Sequence, residues 1–341
     1  MVTIRDVARM AGVSAGTVSN VLNRPSYVTA ETRQRVRDAM TELDFRPTSS
    51  ARQFRPGRGR TLGLAVADMG NPFFVDVALA ADAEARRLGV GVVIVTSNED
   101  VRREKQNLDL LVQQRVHGII ISPVEEANPR LESLVAQGIP LVYVDRISGD
   151  RPCCWVTTDN RVGGRLAAEH LLERGHRRLA FAGGRAISSQ VEDRFEGFRH
   201  AAEAAGATVE RLATSWWAFE DGRRLAEELT ATDPMSWPTA IMCANDLIAL
   251  GLLQELVLRE VRIPDQVAIV GFDDVPWAAA STIPVTSVRQ ERAELGVVAV
   301  RLLLEEIQDA ETHDHQHVVL QPTLIARHSS ASRLRTTRRP G

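Results

Sequence analysis

The hydrophobic pattern of the chain changes near residue 60. Before it, apolar residues recur at helical spacing: Ile4, Val7, Ala8 and Ala11; Val18, Val21 and Leu22; Val36, Ala39, Met40 and Leu43. Such spacing predicts three short amphipathic helices. From Thr61 the apolar residues gather instead into short β-branched runs: "TLGLAV", "GVVIVTS", "HGIIISP", "IPLVYVD", "RRLAFAGG", "TAIMCA" and "VAIVGFDD". Helical stretches over 73–88, 101–115, 128–137, 190–205 and 246–259 lie among them. Strand runs alternating with helices predict parallel sheets built from βαβ units. Residues 61–290 hold too many such units for one sheet, so two similar α/β lobes are expected.

The punctuation of the first part is specific. Thr3 and Asp6 have the spacing of a capping box. Gly12-Val13 makes a tight turn, Ser14 caps the second helix, Asn23 can end it in a left-handed conformation, and Arg24-Pro25 prevents its continuation. Thr29 caps the third helix. Two short helices around a Gly-containing turn, with a third behind them, describe a helix-turn-helix unit. A generic three-helix core has the same periodicity, so the outward face of the second helix decides between them. That face carries Ala15, Gly16, Ser19 and Asn20. It is too small and polar to be a core, and its glycine costs a helix about 1 kcal/mol relative to alanine. A face that enters the major groove of DNA accounts for both properties.

Charge points the same way. The first sixty residues hold 11 Arg, no Lys and 5 acidic residues, a net of +6, which leaves −9 for the remainder of a chain whose total is −3. A basic head on an acidic body suggests that the head meets a polyanion; a solvated basic surface is the plainer reading. At 341 residues, 44% apolar and 25% charged, the composition is that of an ordinary globular protein of two or three domains. No run of eighteen apolar residues is present and no secretory signal is evident at the N-terminus, so neither a membrane span nor export is expected. Three cysteines, two of them adjacent, argue against a disulfide framework and fit a reducing cytoplasm.

"TIRDVARMAGVSAGTVSNVLN" followed by "VTAETRQRVRDAMTELDFRP" resembles the headpiece of the lac-repressor/gal-repressor family of bacterial transcription regulators. The resemblance implies that residues 1–46 form a DNA-binding headpiece in which Ala15, Gly16 and Asn20 read bases. It assigns Thr3, Ser14, Thr17, Ser19, Asn23, Thr29 and Thr32 mainly to phosphates or to the support of base contacts. Residues 47–60, "PTSSARQFRPGRGR", fall where the family places a hinge helix that forms on operator DNA. Ala51 and Phe54 would then contact DNA, with Phe54 at the minor-groove wedge position usually held by Leu. Composition alone would make this segment a flexible Arg/Gly linker.

Residues 61–330 resemble the family's effector domain, which is similar to periplasmic sugar-binding proteins. The markers are "DMGNPFF", "VDR", "DRFEGF", "ANDLIALG" and "VGFDD". Lobe one is expected over about 61–158 plus 290–320 and lobe two over about 159–289 plus 321–330, with a disordered tail at 331–341. A cleft should form at the carboxyl ends of the strands, where open α/β sheets bind ligands. Asp68, Ser122, Asp145, Asn245 and Asp273 sit at strand ends, Arg194 early in a helix and Gln290 near a crossover between lobes. Phe73, Phe74 and Trp217 offer apolar faces for a sugar ring. The resemblance makes Asp145, Arg194, Asn245, Asp273 and Gln290 effector contacts, and Ser122 departs from the Asn of some members. Singly, each of these polar residues can also be a cap or turn former.

"HDHQH" at 313–317 spaces three histidines so that a strand would put them on one face, but a solvated loop or edge strand is the reading taken, and no metal site and no cofactor are expected. Cys153-Cys154 reads as a packed pair near a lobe edge. "AGGR" at 182–185 falls short of a dinucleotide fingerprint, and no Walker loop, H-E-x-x-H or G-x-S-x-G occurs. The sequence therefore predicts a non-enzymatic, ligand-responsive repressor, a homodimer on near-palindromic operator DNA, whose effector is a sugar or related metabolite. A sugar-binding transport protein and a sugar-active α/β enzyme are the rival classes.

Overall fold

The computed structural model describes residues 4–23, 28–43, 61–125, 128–184, 189–215, 217–308 and 312–331. Thr3, Ala51, Phe54, the expected hinge and all but the first residue of the expected tail lie outside the described residues, as do the side chains of Ser19, Leu22 and Asn23. The headpiece and the body that follows are separate compact units, and each is described by itself.

The headpiece has the three helices that its periodicity predicts: α1 (Ile4–Ala11), α2 (Ala15–Asn23) and α3 (Ala30–Glu42). Val7, Val18 and Val36 are fully buried and pack with Ala8, Ala11, Val21 and Ala39 into a small core. Gly12 closes α1 with a φ of 65°, and the Val13 N–H reaches back to the Ala8 carbonyl at 3.0 Å. This six-to-one bond is the Schellman ending, which favours glycine at the left-handed position.

The body contains two six-stranded sheets. Sheet one takes β1 (Thr61–Val66), β2 (Gly91–Thr96), β3 (Ile119–Ile121), β4 (Leu141–Val144), β5 (Cys154–Thr158) and β11 (His317–Leu320), in the order β11-β5-β4-β3-β1-β2. Sheet two takes β6 (Arg178–Gly184), β7 (Thr208–Thr214), β8 (Ala240–Cys243), β9 (Ala268–Asp273), β10 (Thr286–Arg289) and β12 (Thr323–Ile325), in the order β12-β10-β9-β8-β6-β7. The recorded pairings are parallel, for example Ile120 opposite Val142 and Ile241 opposite Ile269, except that β12 runs antiparallel to β10. The two parallel-sheet lobes expected from the alternating runs are thus present. The chain passes between the sheets after β5, after β10 and after β11. Two of these crossings are tied together: the Asp159 N–H donates to the Leu320 carbonyl at 2.9 Å.

Central strands such as β3, β4, β8 and β9 are buried along their whole length, as expected for parallel strands covered on both faces. Helices α4 (Pro72–Arg87), α5 (Val101–Gln113), α6 (Pro129–Ala136), α7 (Asn160–Glu173), α8 (Ser189–Ala204), α9 (Phe219–Thr230), α10 (Asp246–Leu258), α11 (Pro276–Ala280) and α12 (Arg292–Gln308) complete the layers. Helices α7 and α8 meet backbone to backbone. A Cβ on Gly164 would lie 2.8 Å from the Phe198 nitrogen, and one on Gly197 would lie 2.9 Å from the Arg161 Cα. Neither position has room for a side chain.

Cys153 and Cys154 are buried and free, but they do not form a packed pair in one core. Cys153 joins the apolar core of sheet one, whereas the Cys154 thiol faces His313. Adjacent residues at a strand start point to opposite sides.

Candidate functional site

Two faces can carry function, and the first lies in the headpiece. Ser14 caps α2: the Thr17 N–H donates to its Oγ at 3.0 Å. Thr29 caps α3 in the same way, accepting from the Thr32 N–H at 3.4 Å. The hydroxyls of each pair also bond to one another, at 2.9 Å and 3.0 Å. These four residues therefore hold helix starts, the plainer role open to them, and their hydroxyls sit at helix N-termini, where anions are favoured. Gly16 and Asn20 are exposed on α2. Ala15 is half-buried and partly packs on the headpiece core, so its methyl is shared between core and surface. A Cβ on Gly16 would meet only the Ser14 Oγ, at 3.6 Å. Nothing within the described headpiece requires a glycine there.

The second face is a cleft of about 850 Å³ in the body. Of the residues expected to contact an effector, Asp68, Phe73, Phe74, Asp145, Arg194, Trp217, Asn245, Asp273 and Gln290 line it. Ser122 does not. Its side chain is buried at 1% exposure, and its Oγ has no hydrogen-bond partner among the described residues. Ending an apolar run was not enough to bring this residue to the surface.

The floor of the cleft is built from strand ends. Asp145 follows β4 and Asp273 ends β9, and both have left-handed backbones, with φ of 63° and 108°. Left-handed conformations are costly for non-glycine residues and cluster at functional sites. Arg194, one turn into α8, lies within electrostatic reach of both carboxylates. It is buried, donates from Nε to Asn160 Oδ1 at 2.8 Å and from a terminal nitrogen to the Ala244 carbonyl at 2.7 Å, and lies 3.8 Å over the Phe272 ring. Burial lowers its pKa, while Asp273 and Asp145 pull it back up. The same burial raises both aspartates to about 6, and Arg194 opposes the rise in each. Both carboxyls are thus held near the boundary between neutral and ionised forms.

Two buried acceptors in this floor lack a partner among the described residues: Asp145 Oδ1 and Gln290 Oε1. Their sister atoms are occupied. Gln190 donates to Asp145 Oδ2 at 3.2 Å and also to the Asp145 carbonyl, and Gln290 donates to Asp273 Oδ1 at 2.7 Å. A buried acceptor without a donor costs free energy, so a donor that reaches either oxygen is favoured. Asn245 is different. Its Oδ1 caps α10 through the Ile248 N–H, and its Nδ2 donates to the Trp217 carbonyl, each at 2.9 Å. It acts as a cap and holds Trp217 in the wall.

Phe73 and Phe74 form an edge-to-face pair with centroids 5.0 Å apart. Asn71 caps their helix through the Phe73 N–H at 3.0 Å. Several cleft residues escaped the sequence reading. Arg146 lines the cleft with its guanidinium 5.8 Å from the Trp217 ring. Glu99 also lines it and has a raised pKa, through burial and then through Asp68. Asn160 and Gln190 act one layer back, on Arg194 and Asp145. Arg146 had a signal, since it follows Asp145 in the marker "VDR"; Asn160 and Gln190 end no apolar run.

Comparison with known proteins matches both the headpiece and the body. Residues 3–48 match the family described as bacterial regulatory proteins, lacI family, and residues 168–330 match the periplasmic binding protein-like domain. The HTH-type transcriptional repressor PurR of Pasteurella multocida is 30% identical over 98% of this chain and all of its own length. The lac repressor dimer bound to operator and the anti-inducer ONPF is 27% identical, with a TM-score of 0.83 over 97% of this chain and 99% of that one. The transcriptional regulator CelR in complex with cellobiose is 30% identical, with a TM-score of 0.71 over 96% of this chain and 100% of that one. Similarity along almost the whole chain to repressors of this architecture, together with a matching headpiece, means that the chain belongs to the lacI family of bacterial regulatory proteins.

Proposed function

We propose that this chain is a ligand-responsive transcriptional repressor: as a homodimer it binds operator DNA through its headpieces, and a small hydroxyl-rich effector in the cleft switches that binding. On this reading Gly16 and Asn20 of α2, with Ala15 at its start, read base edges, and Ser14, Thr17, Thr29 and Thr32 position the headpiece on phosphates. Thr3, Ser19, Asn23, Ala51 and Phe54 take the DNA-facing roles that the family resemblance implies. Dimer symmetry calls for a near-palindromic operator. On this reading it acts in the cytoplasm. Among the described residues no helix is long and apolar enough to cross a membrane.

The observation that carries the effector class is the pair of unpartnered buried acceptors, Asp145 Oδ1 and Gln290 Oε1, beside Arg194 and an aromatic wall. Acceptors that lack donors, next to a fork of donors and flat apolar faces, suit a ring bearing several hydroxyls. Regulators of similar structure hold cellobiose or ribose. Binding and DNA release are reciprocal in such a device: a ligand that weakens operator binding is itself bound more weakly by the DNA-bound form.

The test is calorimetry of the full chain with sugars, sugar phosphates and nucleobases, followed by operator binding in the presence of each binder. A hydroxylated ligand that binds unchanged and shifts operator affinity is the expected result. Turnover of that ligand would make the cleft an active site. Tight ligand binding with no effect on any DNA would favour a transport-type binder.

A further inference from the structure

We propose that Cys154, Glu306, His313 and His315 form a binding site for a divalent transition-metal ion of the zinc class, separate from the effector cleft. One donor atom from each of the four side chains lies within 4.8 Å of all the others. They come from three places in the sequence: Cys154 opens β5, Glu306 lies in the last turn of α12, and the two histidines lie in the irregular segment before β11. The site thus occupies the N-terminal end of the strands of sheet one. Asp68 and Asp145 mark the opposite end, where the cleft opens.

The geometry is close to what a tetrahedral ion needs. Metal–sulfur bonds of about 2.3 Å and metal–nitrogen or –oxygen bonds of about 2.0 Å put neighbouring donors roughly 3.3–3.6 Å apart. Cys154 Sγ is 3.0 Å from His313 Nε2 and 4.0 Å from His315 Nδ1. The two rings stand edge to face, with centroids 5.6 Å apart, so each presents a different nitrogen to the same point. The Gln316 N–H donates to Cys154 Sγ at 3.2 Å. Glu306 Oε2 is buried without a partner among the described residues. His317 stands aside, stacked on Trp155 at 4.6 Å with 13° between the rings.

The donor chemistry selects the ion. One thiolate, two imidazoles and one carboxylate suit Zn²⁺ and exclude the oxygen-only preference of Mg²⁺ and Ca²⁺. On binding, a metal–sulfur bond forms and the thiol proton passes to solvent; the imidazoles bind neutral. The ion clamps β5, α12 and the approach to β11 together. This assignment does not depend on the effector reading.

The experiment uses the full chain, purified without a histidine tag, first with Zn²⁺ in competition with a chromophoric chelator and then with Co²⁺. The expected results are one tightly held Zn²⁺ per chain and a Co²⁺ form with thiolate-to-metal charge-transfer absorption and the strong visible bands of a tetrahedral site. His315 is exposed, so His315→Ala keeps the fold, checked by a cooperative melt, and weakens Zn²⁺ binding about tenfold or more. Cys154→Ser removes the charge-transfer absorption. Failure of the wild-type chain to compete for Zn²⁺, or wild-type affinity in both variants, overturns the proposal.

Discussion

Gly16→Ala should make the headpiece more stable and the repressor worse. Position 16 is exposed on α2, is not among the glycines with positive φ, and offers a Cβ only one neighbour, the Ser14 Oγ at 3.6 Å. Alanine therefore fits without moving the backbone and recovers the helix-propensity deficit of glycine, about 1 kcal/mol. Local opening of α2 should become about fivefold rarer, which hydrogen exchange of its amides in the full chain would read as added protection. On operator DNA the same methyl stands on the face proposed to meet base edges. Crowding a close interface with one methyl costs about 1–3 kcal/mol, so specific affinity should fall at least about fivefold. Non-specific binding, carried by arginine–phosphate contacts, should change little at matched salt. The assay is fluorescence anisotropy on an operator selected with the wild-type chain, beside hydrogen exchange on the same preparations. Added protection with unchanged operator affinity would refute the reasoning, because the glycine would then serve nothing outside the helix.

Asn20→Ala should cost about 1–3 kcal/mol of specific binding and relax preference at one base per half-site, since Asn20 is an exposed amide of α2 and asparagine pairs well with adenine; an unchanged profile in a randomised-site selection sinks this. Arg194→Ala should leave operator binding intact and abolish the ligand response; calorimetry returning wild-type ligand affinity rules it out. Asp145 and Asp273 have folded pKa values of about 6 against an ordinary 3.8. The folded chain therefore holds more protons than the unfolded chain between about pH 4 and 6, and ligand-free stability should fall as pH rises through that window. A hydroxylated ligand prefers the ionised carboxylates, so its binding near pH 6 should release protons; observed calorimetric heats that do not change between buffers of different ionisation enthalpy would contradict this. Phe54→Ala should reduce operator bending, and Phe54→Leu should restore it; energy transfer between end-labelled dyes that shows full bending in Phe54→Ala excludes the wedge.

Much of the fold was legible because central parallel strands are continuous apolar runs, and β1, β3, β4, β8 and β9 each coincide with one. Strands β5 and β10, though inner and mostly buried, were passed over because Thr and Ser interrupt their apolar runs; the edge strands were missed for another reason. Strand β7 is an edge strand with alternating burial, and β11 and β12 have only 4 and 3 residues. Short, half-exposed strands are specified by their neighbours more than by their own composition. In the cleft, Asp68, Asp145 and Asp273 were legible because each ends a run. Ser122 ended one too, yet it is buried and does not line the cleft. Gln190 and Asn160 escaped because they work through Asp145 and Arg194, a relation between distant elements. The histidines of "HDHQH" show the same limit: strand spacing would align all three, whereas the structure keeps two for Cys154 and Glu306 and gives the third to Trp155.

The backbone contact between α7 and α8 bears on how such a receptor can diversify. Gly164 and Gly197 fix the register of the two helices with main-chain atoms, and these helices carry Asn160 and Arg194. The aim of the guanidinium is therefore set by a joint without adjustable side chains. Ordinary sequence drift on the surface of that lobe leaves the aim unchanged, while one methyl at either glycine pushes the helices apart and misdirects it. Changes of ligand preference are channelled away from this joint and into the aromatic wall of Phe73, Phe74 and Trp217, where a new side chain reshapes the cleft without disturbing its anchor. A library confined to those three positions should yield altered specificity in folded proteins, and the same number of substitutions along the α7–α8 seam should yield mostly unresponsive ones.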